Sequence, residues 1–218
     1  MKPSIRRGGR FLLAAALLSA SFSGAQAPSL HDLAQRVDKR YNQLRSLRTN
    51  FTESYAGMGR RRTESGTLLL AKPGRMRWDY ASPAGKTFVL DGKYAWFYTR
   101  GAAQVQRIPA KQLDDLRSPL RFLLGHTQVE KEMTGLSLTA TGSHYQLSGR
   151  IKGDERMKRV TLTVTADGTI VALDAEESDG SLTHIGLSNE QPNTPLPAEA
   201  FHFTPPAGVP VVDSLPPV

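Results

Sequence analysis

Several short patterns in this 218-residue chain contain residue types that could do chemistry. Gly85-Lys86-Thr87 has the ending of a phosphate-binding loop, where backbone amides cradle phosphates and a lysine offsets their charge. That motif needs a glycine five positions before its last glycine, and Tyr80 stands there. It also needs a helix afterwards, and a strand pattern follows. Gly135-Leu136-Ser137-Leu138-Thr139 places a serine where a nucleophile elbow would, yet it lacks the second glycine and lies inside a strand pattern. The histidines, His31, His126, His144, His184 and His202, never fall at a metal-ligand spacing such as i, i+4 on a helix. Asp174, Glu176, Glu177 and Asp179 could supply an acid–base pair, but a solvated strand face and turn is the simpler account. Asn50-Phe51-Thr52 is a formal glycosylation triplet, without weight in a bacterial chain. The sequence therefore points away from an enzyme, and no cofactor or metal is expected.

The elements that carry these residues begin after a distinctive N-terminus. Lys2, Arg6, Arg7 and Arg10 form a basic region, Phe11 to Ala20 is an apolar run, and small residues follow to Ala25 and Ala27. This is the layout of a secretory signal peptide, with an apolar run too short for the ~20 residues a membrane span needs. Residues 1–25 are expected to be removed, since cleavage after Ala27 would put Pro28 just past the scissile bond. Residues 26–218 then form one domain. Loss of the four basic residues lowers the formal charge from +8 to +4, so nothing demands nucleic acid. With no cysteine, the exported chain has neither disulfides nor a lipidated N-terminal cysteine, and must rely on its core. These features predict a soluble protein beyond the inner membrane, with a Gram-negative source as the expected context.

The periodicity predicts a helix over 30–44, with Ser29 as N-cap, Asp32 three residues on, and Leu30, Leu33, Val37, Tyr41 and Leu44 along one side. From Arg48 the period becomes two. Ten or eleven strands are expected, nearly all in antiparallel meanders, with turns at Pro73-Gly74, Asp91-Gly92, Asp167-Gly168 and Asp179-Gly180. Residues 110–131 interrupt the pattern with two short helices, 112–117 and 119–124. The second carries Leu120, Phe122, Leu123 and Leu124. Residues 200–204 read as a last strand, and 205–218 as a proline-rich tail. The expected architecture is mainly β (α+β): an unclosed, curved antiparallel half-barrel whose concave face is filled by helices. The Asp91-Gly92 hairpin is apolar on both faces. One holds Phe88, Leu90, Ala95 and Phe97, and the other Val89, Tyr94, Trp96 and Tyr98. Periodicity alone does not separate a core face plus an aromatic surface from a concave wall too large for its helices. The greasy helix 119–124 favours the second, because such a helix can plug a cavity and later move aside.

Four stretches in this order, GTLLLAKPGRMRW (66–78), DGKYAWFY (91–98), SPLRFLLG (118–125) and AEAFHFTPPAGV (198–209), resemble the LolA family of periplasmic lipoprotein carriers. The likeness runs along essentially the whole mature chain. It implies an unclosed β-barrel with a helical lid over a hydrophobic cavity. It implies a chaperone for triacylated lipoproteins, received from an inner-membrane ABC transporter and handed to the outer-membrane receptor LolB. Loading energy then comes from a partner, since no nucleotide site is visible. The expected lipid-binding residues are Leu68, Leu70, Met76, Trp78, Phe88, Leu90 and Phe97 on the sheet. Leu44, Leu47 and Phe51 approach from the first helix and strand, and Leu120, Leu123 and Leu124 form the lid face. The family often carries Arg before the proline of the third-strand turn, as a latch to the lid helices; here the residue is Lys72. By strand parity it shares a side with Leu68 and Leu70, which sets its head at the cavity mouth, with the carbonyls near Leu123 to Gly125 as its expected acceptors. Arg60-Arg61-Arg62 reads as a solvated turn or as a docking patch for an acidic partner or anionic membrane. The chain is expected to work as a monomer. Three other readings compete: a lipid-sensing domain that regulates a partner, a receptor of the LolB kind, and an unrelated hydrolase. The short length after the fold, the absent cysteine and the absent catalytic constellation argue against them in turn.

Overall fold

A computed structural model describes residues 27–113, 121–124 and 128–213. The signal peptide expected over 1–25 lies outside them. The first element is helix α1 (Leu30–Gln43). Ser29 caps it reciprocally: its hydroxyl accepts from Asp32 N at 3.1 Å, and Asp32 Oδ2 accepts from Ser29 N at 3.2 Å. Two of the orphan amides of the first turn are thereby satisfied. The stripe Leu33, Val37 and Tyr41, with Ala34 beside it, is fully buried.

Twelve strands form a single sheet. They are β1 (Ser46–Gly57), β2 (Arg60–Ala71), β3 (Arg75–Ser82), β4 (Lys86–Leu90), β5 (Tyr94–Thr99), β6 (Val105–Pro109), β7 (Met133–Thr141), β8 (His144–Ile151), β9 (Met157–Val164), β10 (Ile170–Glu177), β11 (Leu182–Pro192) and β12 (Val211–Asp213). Between β6 and β7 come the short helices α2 (Ala110–Leu113), α3 (Arg121–Leu124) and α4 (Val129–Glu132). The order across the sheet is β12-β6-β5-β4-β3-β2-β1-β11-β10-β9-β8-β7. Two meanders are thus joined by antiparallel pairing of β1 with β11, and the ends β12 and β7 leave the sheet unclosed. The unclosed, mainly β architecture read from the sequence is the one found.

Several expectations change. The sheet has twelve strands and not ten or eleven; of the two helices expected at 112–117 and 119–124, residues 114–120 lie outside the described residues, and a further short helix, α4, precedes β7. Residues 200–204 do not form a strand; Ala198–Phe201 is a 3-10 helix lying against β3, and the last strand is β12, further on. β12 also departs from the antiparallel pattern, pairing in parallel with β6. The physical reason is on the outer face of the sheet. Leu69 and Ala71 point outward from β2 and are buried there by Phe201, with Leu196 and Ala200 packed alongside. The C-terminal segment therefore covers the outside of the first meander, and β12 ends this cover.

Candidate functional site

The concave face of the first meander is built in rows, because strand partners in register point the same way. One row runs Leu47, Leu70, Met76, Leu90, Ala95, Ile108. The next runs Thr49, Leu68, Trp78, Phe88, Phe97, Gln106. A third holds Phe51, Gly66 and Tyr80. Gly66 is needed in that row: a Cβ there would stand 2.0 Å from the Asp79 carbonyl oxygen. Its bare backbone lets β3 approach closely, and in the same row the Phe51 ring packs edge-on against Trp78 at 4.4 Å and Tyr80 at 5.1 Å. The polar atoms in the wall are satisfied. Trp78 Nε1 donates to Met76 Sδ at 2.9 Å, and Thr49 Oγ1 donates to the Ser188 carbonyl at 2.8 Å.

Leu44, Leu47, Phe51, Leu68, Leu70, Met76 and Trp78 are all buried in one cluster. Phe88 and Leu90 pack against it but stay partly exposed, as does Phe97, whose ring meets Phe88 at 4.7 Å. The opposite hairpin face is not solvent-bare. Trp96 stacks on Phe203 at 5.6 Å, and Tyr98 meets the same ring at 6.2 Å. Both faces are apolar because each meets other apolar groups: the concave one packs in part against the core cluster, and the outer one against Phe203.

The short helix α3 is the plug of the concave face. Phe122 and Leu123 are fully buried in the same cluster as Leu68 and Trp78, and the helix packs against α1. Of the three residues expected on the lid face, Leu123 is placed there. Leu120 lies outside the described residues, and so does the side chain of Leu124. Phe122, not chosen from the sequence, is the larger of the two seated side chains. Its signal was there in the run Leu120 to Leu124. A curved wall buries adjacent positions of one short turn, so a single helical face undercounts them.

Lys72 is at the end of β2 on the side of Leu68 and Leu70, as parity requires. Gly125, at the end of the stretch expected to accept from it, lies outside the described residues. Among the described residues the ammonium donates to the Tyr41 carbonyl and, at 3.4 Å, to that of Asn42, at the end of α1. The cause is local: Lys72 N donates to the Arg45 carbonyl at 2.9 Å, so the exit of α1 is tied to this strand end. The terminal carbonyls of a helix lack internal partners and favour a cation. Burial lowers the Lys72 pKa.

Residues considered for chemistry have ordinary partners. Lys86 of the Gly-Lys-Thr triplet bonds Glu64 at 2.6 Å. Asp174 bonds His184 at 2.6 Å, and Glu176 bonds Lys158 at 2.5 Å. Of the basic turn, Arg60 and Arg61 are exposed, while Arg62 reaches Glu53 at 3.1 Å.

Comparisons agree with this geometry. Residues 42–204 match the family model described as outer membrane lipoprotein carrier protein LolA. The chain is 29% identical over 201 residues to the outer-membrane lipoprotein carrier protein of Chromobacterium violaceum, covering 92% of this chain and 95% of that one. It is 31% identical over 173 residues to the protein of the same name from Nitrosospira multiformis, covering 77% and 82%. Among solved structures, an uncharacterized conserved protein from Thermus thermophilus shares the fold, with a TM-score of 0.54 and 14% identity over 86% of this chain and all of that one. An apolar concave wall, a greasy plug helix and sequence similarity along most of the chain converge: this protein belongs to the LolA family of outer-membrane lipoprotein carriers.

Proposed function

We propose that the protein is a periplasmic chaperone that shelters the acyl chains of lipoproteins between the inner and outer membranes. The observation that carries this reading is the wall Leu68, Trp78, Phe88, Phe97, which packs in one cluster with Phe122 and Leu123 and is left partly open at Phe88 and Phe97. Each buried methylene is worth ~0.8 kcal/mol, so several acyl chains would bind too tightly to leave an ordinary cavity. Here Phe122 and Leu123 compete for the same apolar surface. Reseating them offsets part of the gain from cargo, and keeps the site covered when empty. Lys72 favours the closed state from the other side, by holding the end of α1. In this reading lipoproteins arrive from an inner-membrane ABC transporter, leave to the receptor LolB, and travel on a monomer. The role is that of a carrier and needs no catalytic group.

The test is native mass spectrometry of the protein from its own periplasm, with binding of a triacylated lipopeptide measured in parallel. Lipoprotein adducts are expected; free phospholipid alone would sink the lipoprotein reading. Two variants locate the site. Trp78→Ala should weaken binding, and Leu68→Glu should abolish it by setting an unpaired carboxylate among acyl chains. Undiminished binding by a folded Leu68→Glu protein would place the cargo elsewhere.

A further inference from the structure

Below the aromatic row the concave face changes character. Glu53 and Glu64 are direct cross-strand partners on β1 and β2, pointing inward like Phe51 and Gly66 two residues away. Their side chains are only 13% and 10% exposed, while the cations that meet them are more open, Lys86 at 30% and Arg62 at 53%, so the cluster is buried on its acidic side and reaches solvent on the other. Lys86 reaches Glu64 at 2.6 Å, and its ammonium lies 4.2 Å from the centre of the Tyr80 ring. Arg62 reaches Glu53 at 3.1 Å and Glu64 at 4.0 Å, and lies over the Tyr55 ring at 4.8 Å. Two carboxylates thus face each other across neighbouring strands, where like charges repel. Two cations and two aromatic rings hold them together. Burial, followed by the charges of Glu53 and Glu64, raises the Tyr80 pKa, as expected where little water enters.

A buried ion pair is a poor stabilising device, since desolvation offsets most of the attraction. Well-packed apolar residues would serve the fold as well or better. Its placement suggests another use. From Leu70 to Glu64 is six residues along one strand, about 20 Å at ~3.3 Å per residue. The hydrocarbon depth of one bilayer leaflet is about 15 Å, half of ~30 Å. The apolar wall from Leu70 to this cluster is therefore of the order of one leaflet's hydrocarbon depth. Sideways escape is blocked at this level. Ile185, beside Glu53, continues into Leu173 and Leu162, which are packed out in the core with Leu33 and Val37.

Resting on the carrier reading above, we infer that the Glu53–Arg62–Glu64–Lys86 cluster is the floor of the acyl site and sets the length of chain it accepts. A methylene pushed against the cluster would have to strip hydration from ions or displace their partners. It gains nothing to offset that. Chains that stop above the floor bind by apolar contact alone.

The experiment uses the mature protein and synthetic lipopeptides with an N-acyl, S-diacylglyceryl cysteine, in a series from lauroyl through palmitoyl to arachidoyl. Affinity is read by competition with a fluorescent long-chain probe. In the wild type it should rise about fourfold per methylene in each sheltered chain until the floor is reached, then level off. The double variant Glu64→Leu/Lys86→Met should keep the short-chain affinities and move the break to longer chains. Its preference for arachidoyl over palmitoyl should exceed the wild type's by about tenfold or more. Glu64→Gln/Lys86→Met, which keeps an amide for Arg62, should move the break less and serves as the probe if the first variant does not fold. A smooth rise without a break in the wild type, or the same break in a folded double variant, overturns the floor and leaves the carrier reading intact. Failure of the wild type to bind a lipopeptide of any length overturns both.

Discussion

The two meanders of the sheet use the same curvature for different ends. In β8 to β11 the inward residues are aliphatic and closed off: Leu147, Leu162 and Leu173 lie in one row and are at most 1% exposed. α1 is fixed to this half by polar contacts at its edge. Tyr41 Oη donates to Glu190 at 3.0 Å and accepts from Ile170 N at 2.9 Å, and Arg40 bonds the other oxygen of Glu190 at 2.6 Å. Gly168 closes the joint, with φ +87° and the site of a Cβ only 2.7 Å from the Arg36 backbone. In β2 to β6 the inward residues include the aromatics Trp78, Tyr80, Phe88 and Phe97, the last three partly exposed, and Phe122 and Leu123 of α3 pack in the same cluster as Trp78. One half is tied to α1 by polar contacts at its edge; the other leaves aromatic side chains partly exposed beside α3. Segments with fewer buried contacts open more readily, so the carrier reading draws its binding face from the second half.

Truncation should separate the halves most sharply. Leu162→Ala is expected to cost ~2–5 kcal/mol in urea unfolding, since its site is fully packed. Phe88→Ala should cost less than about 2 kcal/mol, because its ring is already partly exposed. It should instead weaken lipopeptide binding. Equal stability losses would erase the distinction. Next in size, Glu190→Gln should cost about 1.5–3 kcal/mol by weakening charge-assisted bonds from Arg40 and Tyr41. Amide exchange should then speed up along α1 while the β4–β5 hairpin is unaffected. Lys72→Leu should be smaller in stability, ~0.3–1 kcal/mol. Its larger effect should be functional: with α1's end released, the closed state weakens and lipoprotein is retained in a transfer assay. Normal loading and release would make Lys72 a surface lysine.

The smallest effect concerns Asp38, which accepts from Val129 N at 3.0 Å and joins α1 to α4. Burial raises its pKa from the ordinary 3.8 to about 6, against the Val129 bond and with help from Glu132 and Glu130. The folded state therefore binds more protons than the unfolded chain between about pH 4 and 6. The Asp38 contribution to stability should fall as pH rises through that window and level off above it, against the opposite slope from Asp91 and Asp167, whose hydrogen bonds lower their pKa. Asp38→Asn keeps an acceptor for Val129, so it should remove this slope and raise the melting temperature slightly at neutral pH. A slope unchanged in the variant would assign it to other carboxylates.

Local signals made the elements legible. The Asp91-Gly92 hairpin, the Ser29 capping box and the parity of Lys72 all follow from neighbours within a few residues. Both faces of the 86–98 hairpin are apolar, so parity left the concave one open; only the contacts of Phe88 and Leu90 with the core cluster place that side inward. What stayed hidden depended on distant segments. Leu68 to Ala71 are buried in succession because Phe201 covers the outer pair, which hides any alternation. β12 is three residues beyond a proline-rich stretch and is defined by its pairing with β6. The acceptors of Lys72 depended on where α1 ends relative to β2. The Glu64–Lys86 pair joins residues two strands apart, and no motif announces it.

The C-terminal cover has a consequence for the order of assembly. Ribosomes deliver the chain from its N-terminus, so β2 to β6 emerge well before Phe201 and Phe203 exist to cover their outer face. β1 likewise waits for β11, more than a hundred residues later, before its second edge is paired. Long-range pairing of this kind is slow and leaves strand edges exposed meanwhile. The half of the sheet with the aromatic wall is thus the first to be synthesised and the last to be sealed. A chain lacking its last twenty residues would leave the outer apolar side of β2 to β5 without the cover of Phe201 and Phe203.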